Sequence, residues 1–214
     1  TVVAENSSET EHSSNPMVGY STKFDYGNST WIGAVNTEAS VDHGNLVSYS
    51  NSGATLISSH QDEIYFINAY NNELFPYSIT VNYPIHSMEF STDDKYIIVG
   101  MESKLSNTPA TVVLEDIDGQ YVRLKHTEDG NIVNSLSFAP DNDIFATTNE
   151  ENGITEWSIS NGVGSTAAVS KTYPASHTDN ITCLDHTTDG EYLLSAGDDG
   201  VVILWNRTDA SEQM

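Results

Sequence analysis

The sequence has one cysteine, few basic residues and no long apolar run. Cys183 is the single cysteine among 214 residues, so the chain forms no internal disulfide. Only seven lysines and arginines oppose 31 aspartates and glutamates, which gives a formal net charge of −24. A chain this acidic repels phosphate backbones and anionic lipids, which argues against nucleic acid or a membrane as the partner. No segment is typical of a signal peptide or a membrane span.

Patterns typical of helices, metal sites and active sites are also missing. Apolar residues never keep the i, i+3, i+4, i+7 spacing for long, so we expect almost no α-helix. No pair of histidines has zinc spacing, and we interpret His60, His86 and His186 as structural histidines on or beside strands. The segment Glu115–Gly119 has oxygen ligands at a calcium-like spacing but lacks the rest of a calcium loop, so an exposed turn is expected. Neither a glycine-rich phosphate loop nor a G-x-S-x-G motif occurs.

The segment His177–Asn206 holds three short apolar runs separated by tight turns. Asp189-Gly190 and Asp199-Gly200 lie between the runs. Asp-Gly between β-rich runs is a strong hairpin signal, because glycine accepts the positive φ that a tight turn needs. Three antiparallel strands in about thirty residues form one small sheet, which cannot cover both of its faces by itself. We therefore expect this sheet to pack against neighbouring sheets.

The same pattern recurs earlier in the chain, at a constant offset and without a gap. The offset from Trp157 to Trp205 equals the offset from Thr147 to Ser195. A period of this size, about 40–50 residues, is typical of propeller blades. A β-sandwich with coincidental spacing is the alternative.

Two further copies precede these. One more step of the same offset leads to Ile85–Gly100, the first half of a third copy, whose third strand follows a longer polar loop at Glu102–Pro109. We expect this loop to project from the fold as a mobile insertion. A weaker fourth copy spans Leu46–Asn68. Outer strands between the copies are expected at Phe75–Val81, Tyr121–Lys125 and Ala167–Tyr173.

The last copy resembles one blade of a WD-repeat β-propeller. The resemblance rests on the order His, Asp-Gly, Leu-Leu-Ser, Asp-Asp-Gly and Val-x-Ile-Leu-Trp-Asn. In that family a His, a Ser or Thr, an Asp and a Trp form a buried hydrogen-bonded network. The resemblance implies that the corresponding residues here are His177, Ser195, Asp199 and Trp205. Two positions depart from the pattern, since Ser176 replaces the usual Gly and Asn206 replaces the closing Asp.

These observations predict an all-β protein, a β-propeller of WD-repeat type with four recognisable four-stranded blades and almost no helix. We expect a flexible polar tail over residues 1–16 and a single propeller domain over residues 17–214. The blades are expected near residues 45–81, 85–125, 133–173 and 177–206, and residues 17–36 would supply closing or additional strands. Residues 207–214 are short and polar, so we expect no good outer strand there.

Four blades fall short of the about seven blades that usually close a ring in the family that the sequence resembles. An open edge exposes unpaired backbone groups and an apolar sheet face. Within one molecule, Trp31–Val35 could return as the missing outer strand. Between molecules, the N-terminal segment could add to the open blade of a neighbour and give a ring or a filament. We favour the second because four blades are few and the sequence does not begin with Met.

A non-catalytic protein-interaction or structural module, without cofactor or bound metal, is the function that this architecture favours. Its partner would be protein, either a second copy in a homo-oligomer or filament, or a basic protein. Two alternatives stay open: an acidic intracellular scaffold for basic partners such as histone-like tails, and a propeller enzyme with a channel-bound metal. Cys183 falls where Ser135 and Ser87 stand in earlier copies, which indicates a small buried side chain and not a nucleophile.

Composition favours an extracellular or cell-surface location, because Ser, Thr, Asn and Tyr are abundant and Lys is scarce, as in many exported proteins. The lack of disulfides favours the cytoplasm as the alternative. Four N-x-Ser/Thr sequons are candidate glycosylation sites, although a chain so rich in these residues has about that many by chance. They are Asn6, Asn28, Asn180 and Asn206.

Overall fold

The computed structural model describes residues 18–25, 30–38, 46–103, 108–127, 132–161 and 166–213. Within these ranges the chain forms strands and turns and no helix, which confirms the all-β class. The described part of the chain has no helix long and apolar enough to cross a membrane. A two-stranded sheet comes first, in which β1 (Val18–Asp25) pairs antiparallel with β2 (Thr30–Glu38).

Four four-stranded antiparallel sheets follow, which we call blades 1 to 4. Each is built from four strands that are consecutive in the chain. Blade 1 contains β3 (Val47–Tyr49), β4 (Thr55–His60), β5 (Glu63–Asn68) and β6 (Glu73–Thr80). Blade 2 contains β7 (Ile85–Phe90), β8 (Tyr96–Met101), β9 (Thr111–Ile117) and β10 (Gln120–His126). Blade 3 contains β11 (Leu136–Phe138), β12 (Ile144–Thr148), β13 (Ile154–Ser158) and β14 (Ala168–Thr172). Blade 4 contains β15 (Ile181–His186), β16 (Tyr192–Gly197), β17 (Val202–Asn206) and β18 (Ser211–Glu212).

The turn between the first two strands repeats its backbone conformation from blade to blade. Asp94, Asn142 and Gly190 take the same place in blades 2, 3 and 4, and all three have a positive φ, at 61°, 59° and 72°. Aspartate, asparagine and glycine are the residues that tolerate this left-handed conformation. The side chains of the first two also join neighbouring blades. Asp94 Oδ2 accepts the N–H of Ser52 at 2.8 Å, and Asn142 Oδ1 accepts the N–H of Thr92 at 2.8 Å.

Each blade turns one face toward the preceding blade and the other toward the following blade; we call these the front face and the back face. The back face of blade 1 carries Ile57 and Phe66, which pack on Ile97 and Leu114 of the front face of blade 2. The ring of Tyr121 stacks on Phe66 with the ring centroids 5.4 Å apart. Fully burying one such side chain stabilises the fold by about 1.5–3 kcal/mol. Contact between blade faces is therefore the main source of stability.

The next two interfaces repeat this arrangement with different side chains. Ile98 and Val113 on the back of blade 2 pack on the aromatic front of blade 3, which includes Trp157. Ala146 on the back of blade 3 packs on the front of blade 4, which includes Trp205. The period of the sequence therefore corresponds to the stacking of one blade on the next.

Blade 4 has an outer strand, so the prediction that residues 207–214 would supply none is wrong. Strand β18 pairs antiparallel with β17, with Ser211 opposite Asn206 and Glu212 opposite Trp205. The N–H of Gln213 also donates to the carbonyl of Leu204 at 2.8 Å. An edge strand of this kind needs only backbone hydrogen bonds, and polar residues supply them as well as apolar residues do.

The contacts between blades form an open series. The first strands β3, β7, β11 and β15 lie side by side in chain order, and no comparable contact joins β15 to β3 in the described part of the chain. Strand β2, which contains Trp31–Val35, pairs with β1, and within the described ranges β17 pairs with β16 and β18. The structure therefore does not show the intramolecular closure. The expected tail over residues 1–16 and the tip of the Glu102–Pro109 loop at residues 104–107 lie outside the described residues, and the domain boundaries stay a prediction.

Candidate functional site

The four residues singled out in the last repeat come together in blade 4. Ser195 Oγ accepts the indole N–H of Trp205 at 2.9 Å and lies 2.8 Å from His177 Nε2. His177 Nδ1 lies 3.0 Å from Asp199 Oδ2. The strands β16 and β17 hold Ser195 and Trp205, while the connections before β15 and after β16 hold His177 and Asp199. The network thus fastens two connecting segments to the middle of the blade.

The order Asp199, His177, Ser195 also matches the hydrogen-bond order of a serine-hydrolase triad. The surroundings of the serine oppose that chemistry. Ser195 is 1% exposed, and its oxygen already accepts the indole N–H of Trp205. A nucleophilic oxygen must be able to reach a substrate carbonyl, and this oxygen is enclosed. We interpret the network as structural.

Blade 3 keeps half of the same network. Trp157 Nε1–H donates to Thr147 Oγ1 at 2.9 Å, the counterpart of the bond between Trp205 and Ser195. Glu151 takes the place of Asp199, and Asn149 organises this turn by accepting the N–H of Glu151 at 3.0 Å. The Trp-to-hydroxyl bond is therefore the part of the network that both blades share.

A buried ionic cluster joins blades 3 and 4, and the sequence did not reveal it. Glu156 lies on the back face of blade 3 with its side chain 3% exposed. Its Oε1 accepts hydrogen bonds from Arg207 Nε at 2.7 Å and from the hydroxyl of Tyr173 at 2.9 Å. His186 Nε2 lies 3.4 Å from the same oxygen. Burial would raise the pKa of Glu156, but the hydrogen bonds from His186 and Arg207 outweigh it and lower the pKa to about 2.

An acidic cavity lies where the first strands of blades 2, 3 and 4 meet. Its volume is about 390 Å³, and three threonines contribute to its lining. The other lining residues are Glu89, Phe138, Pro140, Asp185 and His186. Cavities of about 300–1,000 Å³ are typical of small-ligand sites. The cavity is thus large enough for a side chain or a small molecule.

One position on these first strands makes the same contact at successive blade interfaces. Glu89 Oε2 accepts the backbone N–H of Phe138 in the next blade at 3.0 Å. Ser137, one repeat later, accepts the N–H of His186 in the next blade at 3.2 Å. Asp185 occupies this position in blade 4 and is exposed. Its carboxylate is therefore placed to accept an N–H from a further blade.

The carboxyl group of Glu89 has an unusually high pKa for a glutamate. Burial, reinforced by the charge of Asp185, raises its pKa to about 7, although the N–H of Phe138 opposes this shift. The charge of Glu89 is therefore expected to change near neutral pH.

We expect Glu89→Gln to stabilise the fold at pH 8 by about 1–3 kcal/mol, since a raised carboxyl pKa means that the ionised form is costly in the folded state. Stability linked to the Glu89 proton is fully present below the ordinary pKa of 4.5 and is lost as the pH rises through about 7. The difference between variant and wild type should therefore disappear near pH 4.5. Urea unfolding at several pH values measures it. A variant that is equally stable at pH 8 contradicts the burial of this charge.

The back face of blade 4 is exposed, unlike the other three back faces. Leu194 and Leu204 stand opposite each other on β16 and β17, as Ile98 and Val113 do in blade 2. Leu194 is 39% exposed and Val202 is 58% exposed, whereas Ile98 is fully buried. Cys183 is exposed on the same face, so the prediction that it is buried is wrong, because no further blade of the described chain covers this face. This surface is the fourth copy of a face that elsewhere receives another blade.

The other candidate sites from the sequence are metal ligands, the calcium-like segment and the sequons. Within the described ranges, no group of three or more His, Cys, Asp and Glu side chains is arranged to hold a metal ion. The calcium-like segment Glu115–Gly119 ends in a turn in which the N–H of Gly119 donates to Asp116 at 2.8 Å. Among the sequons, Asn180 is exposed and Asn206 is half-buried. Asn6 and Asn28 lie outside the described residues.

Comparison with known proteins gives one family match and one structural likeness. Residues 169–206 match the model of the WD domain, G-beta repeat. The structure is similar to the β-propeller domain of Cps50 (Swd1) from Myceliophteria thermophila, with a TM-score of 0.62 and 14% sequence identity. The match covers 75% of this chain and 52% of that domain, so the chain spans about half the length of the solved propeller. No curated protein matches the sequence.

The family match falls on the segment from which the resemblance was inferred, and the structural match extends the fold to the preceding blades. Both confirm the resemblance to WD-repeat propellers. Residues 169–206 are therefore similar to a WD repeat, and the chain has an all-β fold of WD-repeat β-propeller type with four four-stranded blades.

Proposed function

We propose that the chain is a protein-interaction module that assembles with itself through the exposed back face of blade 4. WD-repeat propellers generally act as scaffolds that bind protein, which supports the general part of this proposal. The specific part, the second copy, rests on the geometry of this terminal blade.

The exposed back face of blade 4 is the observation that carries the proposal. Three times in this structure the equivalent face is covered by the front of the following blade, with Ile57, Ile98 and Ala146 fully buried or nearly so. Leu194 stands at the equivalent position of blade 4 and is exposed. A face that has the shape and apolar character of a blade interface favours another blade as its partner.

The front face of blade 1 is exposed only at its rim. Val47, Tyr49 and Leu74 lie on this face and are 54%, 39% and 52% exposed, whereas Leu56 and Ile67 at its centre are 3% and 0% exposed. The front face of blade 1 is therefore not an open face of the kind that blade 4 has, and the proposal rests on blade 4 alone.

Charge acts against this assembly at low ionic strength. Each copy carries a formal net charge of −24, so two copies repel each other before their apolar faces meet. Near physiological ionic strength, salt limits the range of this repulsion to about 8–10 Å. Association through the blade faces should therefore strengthen as salt is added, whereas an assembly held by ion pairs would weaken.

We expect the double variant Leu194→Glu, Val202→Glu to abolish self-association, because it places two charges in the centre of the apolar face. Both residues are exposed in the single chain, so the fold itself should be retained. Light scattering at a series of protein concentrations measures the effect as a fall from twice the chain mass to the chain mass. Val169→Glu is the matched control, since Val169 is 56% exposed on the outer strand of blade 3. It should leave the mass unchanged.

Cys183 gives an independent measure of the same contact. The thiol is exposed on the back face of blade 4 in the single chain, so packing of a second copy should slow its reaction with a maleimide. The double variant should restore fast labelling. A wild-type chain that keeps its single mass at every concentration and salt would refute self-assembly. The extracellular or cell-surface location and the use of the sequons stay predictions.

A further inference from the structure

We propose that the acidic cavity between blades 2, 3 and 4 binds the guanidinium group of an arginine side chain presented by a basic protein partner. The cavity is separate from the back face of blade 4 that the proposed self-assembly uses, apart from Asp185 at their common edge. The proposal therefore rests on the charges and the lining of the cavity and not on self-assembly.

Two carboxylates on different blades define the charge of the cavity. Glu89 belongs to blade 2 and Asp185 to blade 4, and the first strand of blade 3 runs between them. Both side chains line the cavity, and the negative charge of Asp185 adds to the effect of burial in raising the pKa of Glu89. A cation placed between two like charges relieves their repulsion, so the site favours a positively charged ligand.

The third titratable group of the lining is held by other partners. His186 Nδ1 lies 3.0 Å from Ser137 Oγ, and His186 Nε2 faces the carboxylate of Glu156. Both ring nitrogens are therefore engaged by Ser137 and Glu156. Glu156 is in turn paired with Arg207, so its charge is already compensated.

The rest of the lining favours a guanidinium group over an ammonium group or a metal ion. Pro140 contributes apolar surface to the lining, while Phe138 is only 4% exposed, and a weakly hydrated guanidinium group tolerates such surfaces. Its five donors in one plane suit acceptors on opposite walls, and the threonine hydroxyls supply further acceptors. A bare divalent cation prefers six or more oxygen ligands, and the two carboxylates stand on different blades.

Binding of a short peptide to the full chain tests the proposal. The probe is N-acetyl-Gly-Arg-Gly-amide, and its neutral control carries citrulline in place of arginine. Amide resonances of the ¹⁵N-labelled protein report the site, above all that of Phe138, whose N–H donates to Glu89. We expect saturable shifts at pH 8 with the arginine peptide and affinity at least tenfold weaker with the citrulline peptide.

Variants separate the cavity from the general acidity of the surface. Glu89→Gln and Asp185→Asn should each weaken the binding at least fivefold. Glu150→Gln removes the same charge from an exposed site in blade 3 and should change the affinity less than twofold. Lowering the pH from 8 to 5.5 should weaken binding to wild type, because Glu89 then becomes neutral, and should have a smaller effect on Glu89→Gln.

Three results would overturn the proposal: no saturable shift with the arginine peptide, equal affinity for the citrulline peptide, or equal losses in Glu150→Gln and Glu89→Gln. The titration is carried out on a Leu194→Gln, Val202→Gln variant as well as on wild type, because this variant opposes self-association without adding charge beside Asp185. Arginine binding by that variant supports the cavity even if self-assembly fails. If the wild type self-assembles but does not bind the arginine peptide, the cavity proposal is wrong and the self-assembly proposal stands.

Discussion

Replacing Arg207 with methionine is expected to lower the free energy of unfolding at pH 7 by about 3–5 kcal/mol, because it leaves the buried carboxylate of Glu156 without its cation. Arg207 Nε lies 2.7 Å from Glu156 Oε1, and the carboxylate side chain is 3% exposed. Methionine keeps much of the apolar volume of arginine, so the loss reports the charge. Urea unfolding followed by tryptophan fluorescence measures it.

The pH dependence of Arg207→Met shows whether the charge of Glu156 causes the loss of stability. In the wild type the lowered pKa of Glu156 contributes stability that is present above the ordinary value of 4.5 and is lost as the pH falls through about 2. Without Arg207 the pKa of the buried carboxyl rises, so the variant should recover part of its deficit between pH 7 and pH 4.5. A deficit that stays constant over that range would contradict the charge explanation.

A second substitution at the same site serves as the control. Glu156→Gln removes the charge but keeps an acceptor for the hydroxyl of Tyr173. The double variant Glu156→Gln, Arg207→Met should therefore be more stable than Arg207→Met alone by at least about 2 kcal/mol. With Glu156→Gln measured by itself, a double-mutant cycle gives the coupling between the two residues. Additive losses would show that the two side chains act independently.

Ser195→Ala is expected to cost about 2–4 kcal/mol, since it leaves two buried groups, the indole N–H of Trp205 and one ring nitrogen of His177, without a partner. Ser195 is 1% exposed, so water does not replace the lost hydroxyl. The fluorescence of Trp205 should also change, because its hydrogen bond disappears. Thermal and urea unfolding measure the loss.

The preceding blade supplies the matched controls for Ser195. Threonine holds the equivalent bond at Thr147, so Ser195→Thr should keep most of the stability. Thr147→Ala removes the partner of Trp157 alone and should cost about 1–3 kcal/mol, less than Ser195→Ala. If both alanine variants are equally destabilised, His177 contributes nothing to the network.

The sequence predicted the part of the fold that repeats. Trp157 and Trp205 stand one period apart, and both donate their indole N–H to a hydroxyl 10 residues earlier in the chain. The alternation of apolar residues and the Asp-Gly turns indicated the strands between them. Such features repeat because each blade must present the same two faces to its neighbours.

The ionic cluster could not be predicted, because it does not repeat. Glu156 occupies the strand position that Leu204 takes in blade 4 and Val113 in blade 2, and a lone acidic residue in an alternating strand indicates a solvent-facing side. Its partner Arg207 lies 51 residues away, just beyond the end of a strand. Nothing in the sequence connects the two residues.

The outer strand of blade 4 was missed for a different reason. Ser211 and Glu212 have no β-prone side chains, and β18 is only two residues long. The strand exists because the turn after Asn206 brings the backbone of these residues beside β17, where carbonyl and N–H groups need partners. Backbone pairing of this kind leaves no trace in the side chains.

The ionised form of Glu89 lowers the stability of the fold but favours a cation in the proposed site. Its ionised form destabilises the folded chain at pH 8, yet the same negative charge is what the cavity offers to a cation. A bound guanidinium group would favour the ionised form and so lower the pKa of Glu89 from about 7. Sites where stability and binding oppose each other in this way are common among functional residues.

The open series of blades also determines how the chain can fold. Hydrogen bonds between neighbouring blades join residues about one period apart, such as Glu89 with Phe138 and Ser137 with His186. Joining the first blade to the last would require closing a loop of nearly the whole chain, and the entropy of loop closure grows with loop length. Within the described residues no comparable contact joins the first blade to the last. Folding can therefore start at any blade and extend to the next.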